Sequence, residues 1–140
     1  MIILAFESTC DETAVAVVRD GRTVLADAIL SQADMHALYG GVVPEIASRK
    51  HVEAIAGLTD QALAEAGITK KDVDAVAVSY APGLIGAVLV GVSFAKSVAY
   101  ALGVPLIPVH HIRGHIAATI WPFLNCSRRF WRWPSPAATR

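Results

Sequence analysis

Three apolar runs, Ile2–Phe6, Ala14–Val18 and Thr23–Leu30, open the chain within thirty residues. The first two are separated by a polar turn, Glu7–Thr13, and the last two by Asp20-Gly21. Asp-Gly between apolar runs is a strong hairpin signal, because both central positions of a type I′ turn need a positive φ. The opening therefore reads as three antiparallel strands.

The rest of the chain changes period. Gly40-Gly41 and Pro44 mark a loop, and Glu45–Ala66 then carries apolar residues at helical spacing until Gly67 ends it. Ala75–Tyr80 is a strand, and Ala81-Pro82-Gly83 turns the chain into a helix over Ile85–Leu102, stopped by Gly103 and Pro105. Leu106–Val109 is a fifth strand, and a further helix begins near His110. The order β-β-β-α-β-α-β-α specifies an α/β domain: a mixed five-stranded sheet with flanking helices. At 140 residues the chain suits one domain.

Composition narrows the setting. The chain is 54% hydrophobic with a mean hydropathy of +0.49. Either some elements are buried on both faces, or the domain packs against something else. Ile85–Leu102 contains Ser93, Lys96 and Ser97, so it reads as a buried helix rather than a membrane span. No basic segment precedes the first apolar run, against a signal peptide. Two cysteines, Cys10 and Cys126, form no disulfide framework. A cytoplasmic protein is expected.

Twelve acids balance twelve bases, but all twelve acids lie in residues 1–74 with six of the bases. Four of the remaining six bases fall in 121–140, together with all three tryptophans and three of seven prolines. That segment follows neither period. It reads as a frame-shifted or foreign tail rather than an aromatic–basic nucleic-acid patch.

The residues that carry chemistry come in four groups. His111-Ile112-Arg113-Gly114-His115 sets two imidazoles one turn apart, about 6 Å along a helix axis, where they can share one metal. His110 falls off that face, as a packing or supporting residue. Two imidazoles do not complete a zinc or iron site. Glu7-Ser8-Thr9-Cys10-Asp11-Glu12-Thr13 is a turn of carboxylates and hydroxyls, either one that faces nucleotide phosphates and their metal or a solvated hairpin tip; Glu7 stands out as its strand's single charge. Ala81-Pro82-Gly83-Leu84-Ile85-Gly86 opens a helix, and its glycines favour close packing over an anion cradle. In Tyr39–His51, the cations Arg49, Lys50 and His51 could meet phosphate or simply be solvated.

Taken together and in this order, Glu7–Thr13, Gly40–His51, Ala81–Gly91 and Lys96-Ser97…Pro105…His111-x-x-x-His115 resemble the TsaD family. These are tRNA N6-threonylcarbamoyladenosine synthase catalytic subunits, formerly called O-sialoglycoprotein endopeptidase or Gcp. The resemblance covers Met1 to about Ile120 and implies an actin-like, sugar-kinase, Hsp70-like ATPase lobe over residues 1–120. It implies transfer of a threonylcarbamoyl group from its adenylate to N6 of the adenosine beside the anticodon, in tRNAs reading codons that begin with A. It implies that His111 and His115 ligate one divalent ion, iron or zinc, and that Asp11 and Glu12 line the catalytic cleft. Threonylcarbamoyl-adenylate or ATP is the implied nucleotide. The implied partners are tRNA, a paralogous actin-like subunit and a small ATPase, with a homo-oligomer as a further option and no membrane.

Two departures accompany the resemblance. Arg113 stands where the family has Glu between the histidines. Beyond Trp121 the family's Ser-Gly-Gly-His-Thr loop, second lobe and metal-completing Asp are not found, so the fragment is expected to be inactive alone. Three other functions compete. A metalloprotease lacks the general base that HExxH places after the first His, since Ile112 stands there. A non-catalytic partner-binding lobe would have no use for the histidine pair. A small-molecule kinase of the same fold shows no legible substrate pocket.

Overall fold

The computed structural model describes residues 1–120. The tail expected over 121–140 lies outside the described residues. Strands β1 (Ile2–Glu7), β2 (Glu12–Arg19), β3 (Thr23–Ser31), β4 (Ala75–Ala81) and β5 (Leu106–His110) form one sheet in the order β3-β2-β1-β4-β5. β1 pairs antiparallel with β2, and β2 with β3. Asp20 and Gly21 take φ of 55° and 64° at the second turn, the backbone that the Asp-Gly pair encodes. β4 runs parallel to β1, and β5 parallel to β4. The mixed sheet expected from the sequence is the one observed.

Helix α2 (Pro44–Glu65) starts one residue before the expected position. Pro44 belongs to it rather than to the preceding loop, because the first helical position needs no amide donor. Gly67, at φ 66°, follows its C-cap. Two short elements escape the sequence pattern: α1 (Ala33–Ala37), a single turn, and a 3-10 turn over Lys70–Asp72, both too short to show a period. α3 (Ile85–Leu102) and α4 (His111–Ile120) complete the set.

The core lies between the sheet and the α2–α3 pair. Leu4 and Phe6 of β1, Val15 and Val17 of β2 and Val76 and Val78 of β4 meet Ile55, Ala62 and Leu63 of α2. Phe6 and Phe94 pack edge to face with ring centroids 5.4 Å apart. α3 departs from the expectation of a buried helix. It buries Ala87, Gly91, Ala95 and Ala99, a small residue at every fourth position, and leaves Ile85, Leu89 and Tyr100 exposed. Small side chains let the backbone settle close to β4, and the larger ones are displaced outward. The helix is long and apolar enough to cross a membrane by length and composition, with 28% of that stretch buried.

Parallel pairing decides where the chemistry sits. β1, β4 and β5 all end at one edge, so Glu7, the Ala81–Leu84 loop and His111 emerge side by side, at the carboxyl ends of the strands where open α/β sheets bind ligands.

Candidate functional site

His111 opens α4 directly after β5, and His115 follows one turn later. The rings stand nearly perpendicular at 88°, with Nε2 of one 2.9 Å from Nε2 of the other. The spacing expected from sequence therefore turns two ring nitrogens toward each other rather than merely onto one face. His111 is part-buried and His115 exposed. Among the described residues no third His, Cys, Asp or Glu joins them in a metal-holding group.

Glu7 is the site residue for which sequence reasoning found no role. It ends β1 and places Oε2 3.0 Å from His111 Nδ1, across 104 residues. Its Oε1 accepts the backbone N–H of Thr9 at 2.6 Å, and the Thr9 hydroxyl lies 3.1 Å from the same His111 nitrogen. Burial pushes the Glu7 carboxyl up. Hydrogen bonds from Ser79, Thr9 and His111 outweigh it, and the group ends below the usual glutamate range. Its standing as its strand's single charge was the signal. Its partner could be found only once β1 and β5 were known to end together.

Asp11 and Glu12 sit on the same turn, where the Asp11 carbonyl accepts from the Gln32 amide at 2.9 Å. The Glu12 side chain is exposed and that of Asp11 half-buried. Among the described residues no hydrogen bond joins either carboxylate to His111 or His115. The neighbouring Cys10 thiol is pushed up, first by desolvation and then by Asp11, which removes it as a ready nucleophile.

Two of the sequence alternatives resolve. The glycine loop is filled by protein. A Cβ on Gly83 would lie 2.6 Å from the Thr9 carbonyl oxygen, and one on Gly91 would collide with the Ser8 hydroxyl. Leu84 N–H donates to that Thr9 oxygen at 2.8 Å, and Ser8 Oγ donates to the Ala87 carbonyl at 2.9 Å. Close packing, the favoured reading, is what these glycines serve. In the Tyr39–His51 segment, Arg49 pairs with Glu45 and Lys50 with Glu53 on the surface. His51 is fully buried, so phosphate contact is the wrong role for it. It occupies the inward stripe of α2 with Ala47 and Ile55. His110 ends β5 against Tyr80, and its buried Nδ1 has no partner among the described residues. Arg113 is exposed.

Residues 23–124 match the TsaD family, described as tRNA N6-adenosine threonylcarbamoyltransferase. A protein of that name from Fusobacterium nucleatum is 61% identical over 118 residues, covering 84% of this chain and 35% of the relative. One from Clostridium novyi is 62% identical over 116 residues, covering 83% and 34%. The chain thus spans about a third of the length of these curated relatives. Among solved structures, YeaZ from Pseudomonas aeruginosa superposes with a TM-score of 0.58 at 24% identity, over 78% of this chain and 43% of that one. A second Pseudomonas aeruginosa structure, of an uncharacterized protein with similarity to the peptidase YEAZ, gives 0.63 at 22%, over 89% and 49%. These likenesses show that the chain shares its fold, a mixed five-stranded sheet with flanking helices, with those structures. By the match over most of its length, the chain belongs to the TsaD family of tRNA N6-adenosine threonylcarbamoyltransferases.

Proposed function

We propose that this chain is the N-terminal lobe of a threonylcarbamoyl transferase. It contributes two metal ligands and an acidic turn to transfer from threonylcarbamoyl-adenylate onto N6 of the adenosine beside the anticodon of tRNAs reading A-starting codons. The observation that carries the reading is the His111–His115 pair, with its two Nε2 atoms 2.9 Å apart. Two imidazoles one helical turn apart, with their Nε2 atoms facing each other, supply ring nitrogens of the kind that iron and zinc sites bind. When bound, such an ion supplies Lewis-acid polarisation and a fixed anchor for an anionic substrate group.

The chain's own residues do the positioning. Glu7 and Thr9 hold the His111 ring from behind. Thr9 also fixes the loop that opens α3, through its carbonyl. Asp11 and Glu12 present carboxylates at the same sheet edge, suited to orient or accept a proton from the incoming amine. Among the described residues, the two imidazoles leave a divalent ion short of the three or more protein ligands such sites use. This lobe alone is therefore an incomplete catalyst and gives no transfer above background. tRNA, a paralogous actin-like subunit and a small ATPase are its partners, in the cytoplasm.

A chimera tests the reading. The matched 117 residues of this chain replace those of the Clostridium perfringens relative, which is 61% identical there. Transfer of labelled threonine to unmodified tRNA is expected, and is expected to fail on His111→Ala. A folded chimera without transfer, or one indifferent to His111→Ala, contradicts it.

A further inference from the structure

Glu7 faces His111 with an atom that has nothing to donate. Its Oε2 stands 3.0 Å from His111 Nδ1, while its Oε1 is engaged by the Thr9 amide. An ionised carboxylate only accepts hydrogen bonds. If Nδ1 carried a lone pair, two lone pairs would meet at that distance in a part-buried site. With a proton on Nδ1, the same contact becomes a hydrogen bond, and the Thr9 hydroxyl oxygen at 3.1 Å accepts a share of it.

Building on the transferase reading above, we propose that Glu7 is a positioning residue that locks His111 in the Nδ1–H tautomer, so that its Nε2 lone pair is set for a metal before any metal arrives. The pair is then asymmetric. In the metal-free chain the His115 Nε2–H donates to the His111 Nε2 lone pair, across the observed 2.9 Å. His111 is the preset ligand. His115 must release its Nε2 proton to solvent and take one at Nδ1 before it can ligate, with no net proton change. A carboxylate behind a ligating histidine also raises the basicity of that ligand.

Glu7→Gln separates charge and donor pattern from shape. The Thr9 amide demands the amide oxygen at the Oε1 position, which turns the new NH₂ toward His111 Nδ1. That nitrogen must then accept, and the ring flips to Nε2–H. A merely structural side chain of the same size would change nothing. The readout is the ¹⁵N shifts of the histidine rings in metal-free chain at pH 8, assigned with His111→Ala. Wild type is expected to show a protonated Nδ1 and a bare Nε2 at His111, and Glu7→Gln the reverse. Zinc affinity, measured by competition with a chromophoric chelator, is expected to fall about 10–100-fold in Glu7→Gln. The proposal is overturned if wild-type His111 carries its proton on Nε2, or if folded Glu7→Gln keeps both tautomer and zinc affinity. The wild-type spectrum decides by itself should the variant not fold. None of these readouts needs transfer activity, so the tautomer and the transferase reading fail separately.

Discussion

His51 Nε2 donates to the Cys10 carbonyl at 3.0 Å, while its Nδ1 accepts from the Thr13 hydroxyl at 2.7 Å. One side chain of α2 thereby grips both ends of the turn that carries Asp11 and Glu12. The carbonyl can only accept, so Nε2 bears a proton; burial favours the neutral ring, whose Nδ1 then accepts from Thr13. Burial holds its pKa below the ordinary histidine value of 6.5, with Glu7 and Asp11 opposing and His36 adding to the depression.

That geometry sets a pH dependence. Below pH 6.5 the unfolded chain binds a proton at this residue that the folded chain resists. Stability is therefore unaffected by His51 above that pH, and falls as pH drops toward the lower folded value. Urea midpoints at pH 7.5 and 5.5 should show the fall in wild type and a shallower one in His51→Gln. His51→Ala should cost about 3 kcal/mol at neutral pH, since it opens a buried cavity and orphans the Cys10 carbonyl.

Gly83→Ala should be the more damaging of two similar substitutions. Its Cβ meets the Thr9 backbone at 2.6 Å, which cannot swing aside, whereas a Cβ on Gly86 meets the rotatable Ser48 hydroxyl at 2.5 Å. The expected loss for Gly83→Ala is about 1–3 kcal/mol. Displacing Thr9 should also move the His111 ring resonances, which Gly86→Ala should leave in place. Thermal unfolding and the histidine NMR spectrum check both.

Metal binding in this lobe should be weak and should need both histidines. Two ligands leave an ion open to solvent and to competing chelator. Elemental analysis is expected to find about one zinc per chain at equilibrium, little after dialysis against chelator, and none in His111→Ala or His115→Ala. Stoichiometric zinc surviving dialysis would mean that a third ligand exists.

The outer face of α3 should make this lobe self-associate. Ile85 and Leu89 are 86% and 61% exposed, and Leu89 borders a groove with Val52 and Phe94. A second copy would cover this surface. Light scattering should show mass rising with concentration, and Leu89→Glu should return it to a monomer with the fold retained.

How much of this was legible depended on range. The strands and long helices follow from apolar period and Gly or Pro punctuation, both local signals. α1 gave no period because it is one turn. The small residues at 87, 91, 95 and 99 already marked the buried stripe of α3, but high overall hydropathy concealed its exposed side. His51 read as a cation because it adjoins Arg49 and Lys50. Its place four residues after Ala47 and four before Ile55 was the better guide. The histidine pair was visible as a spacing. Glu7 stood out, but its contact with His111 depends on β4 lying parallel between β1 and β5, which no local pattern encodes.

Whether the histidine pair serves the transfer is decided by single-turnover transfer of labelled threonine to unmodified tRNA, by the chimera carrying residues of this chain in the Clostridium perfringens relative. Transfer is expected, and is expected to be lost in His111→Ala and His115→Ala, with this chain alone at background even when partner subunits are supplied. Transfer that survives both substitutions would show that the histidine pair is not the metal half-site of this reaction. Transfer by the chain alone would show that the lobe is a complete catalyst.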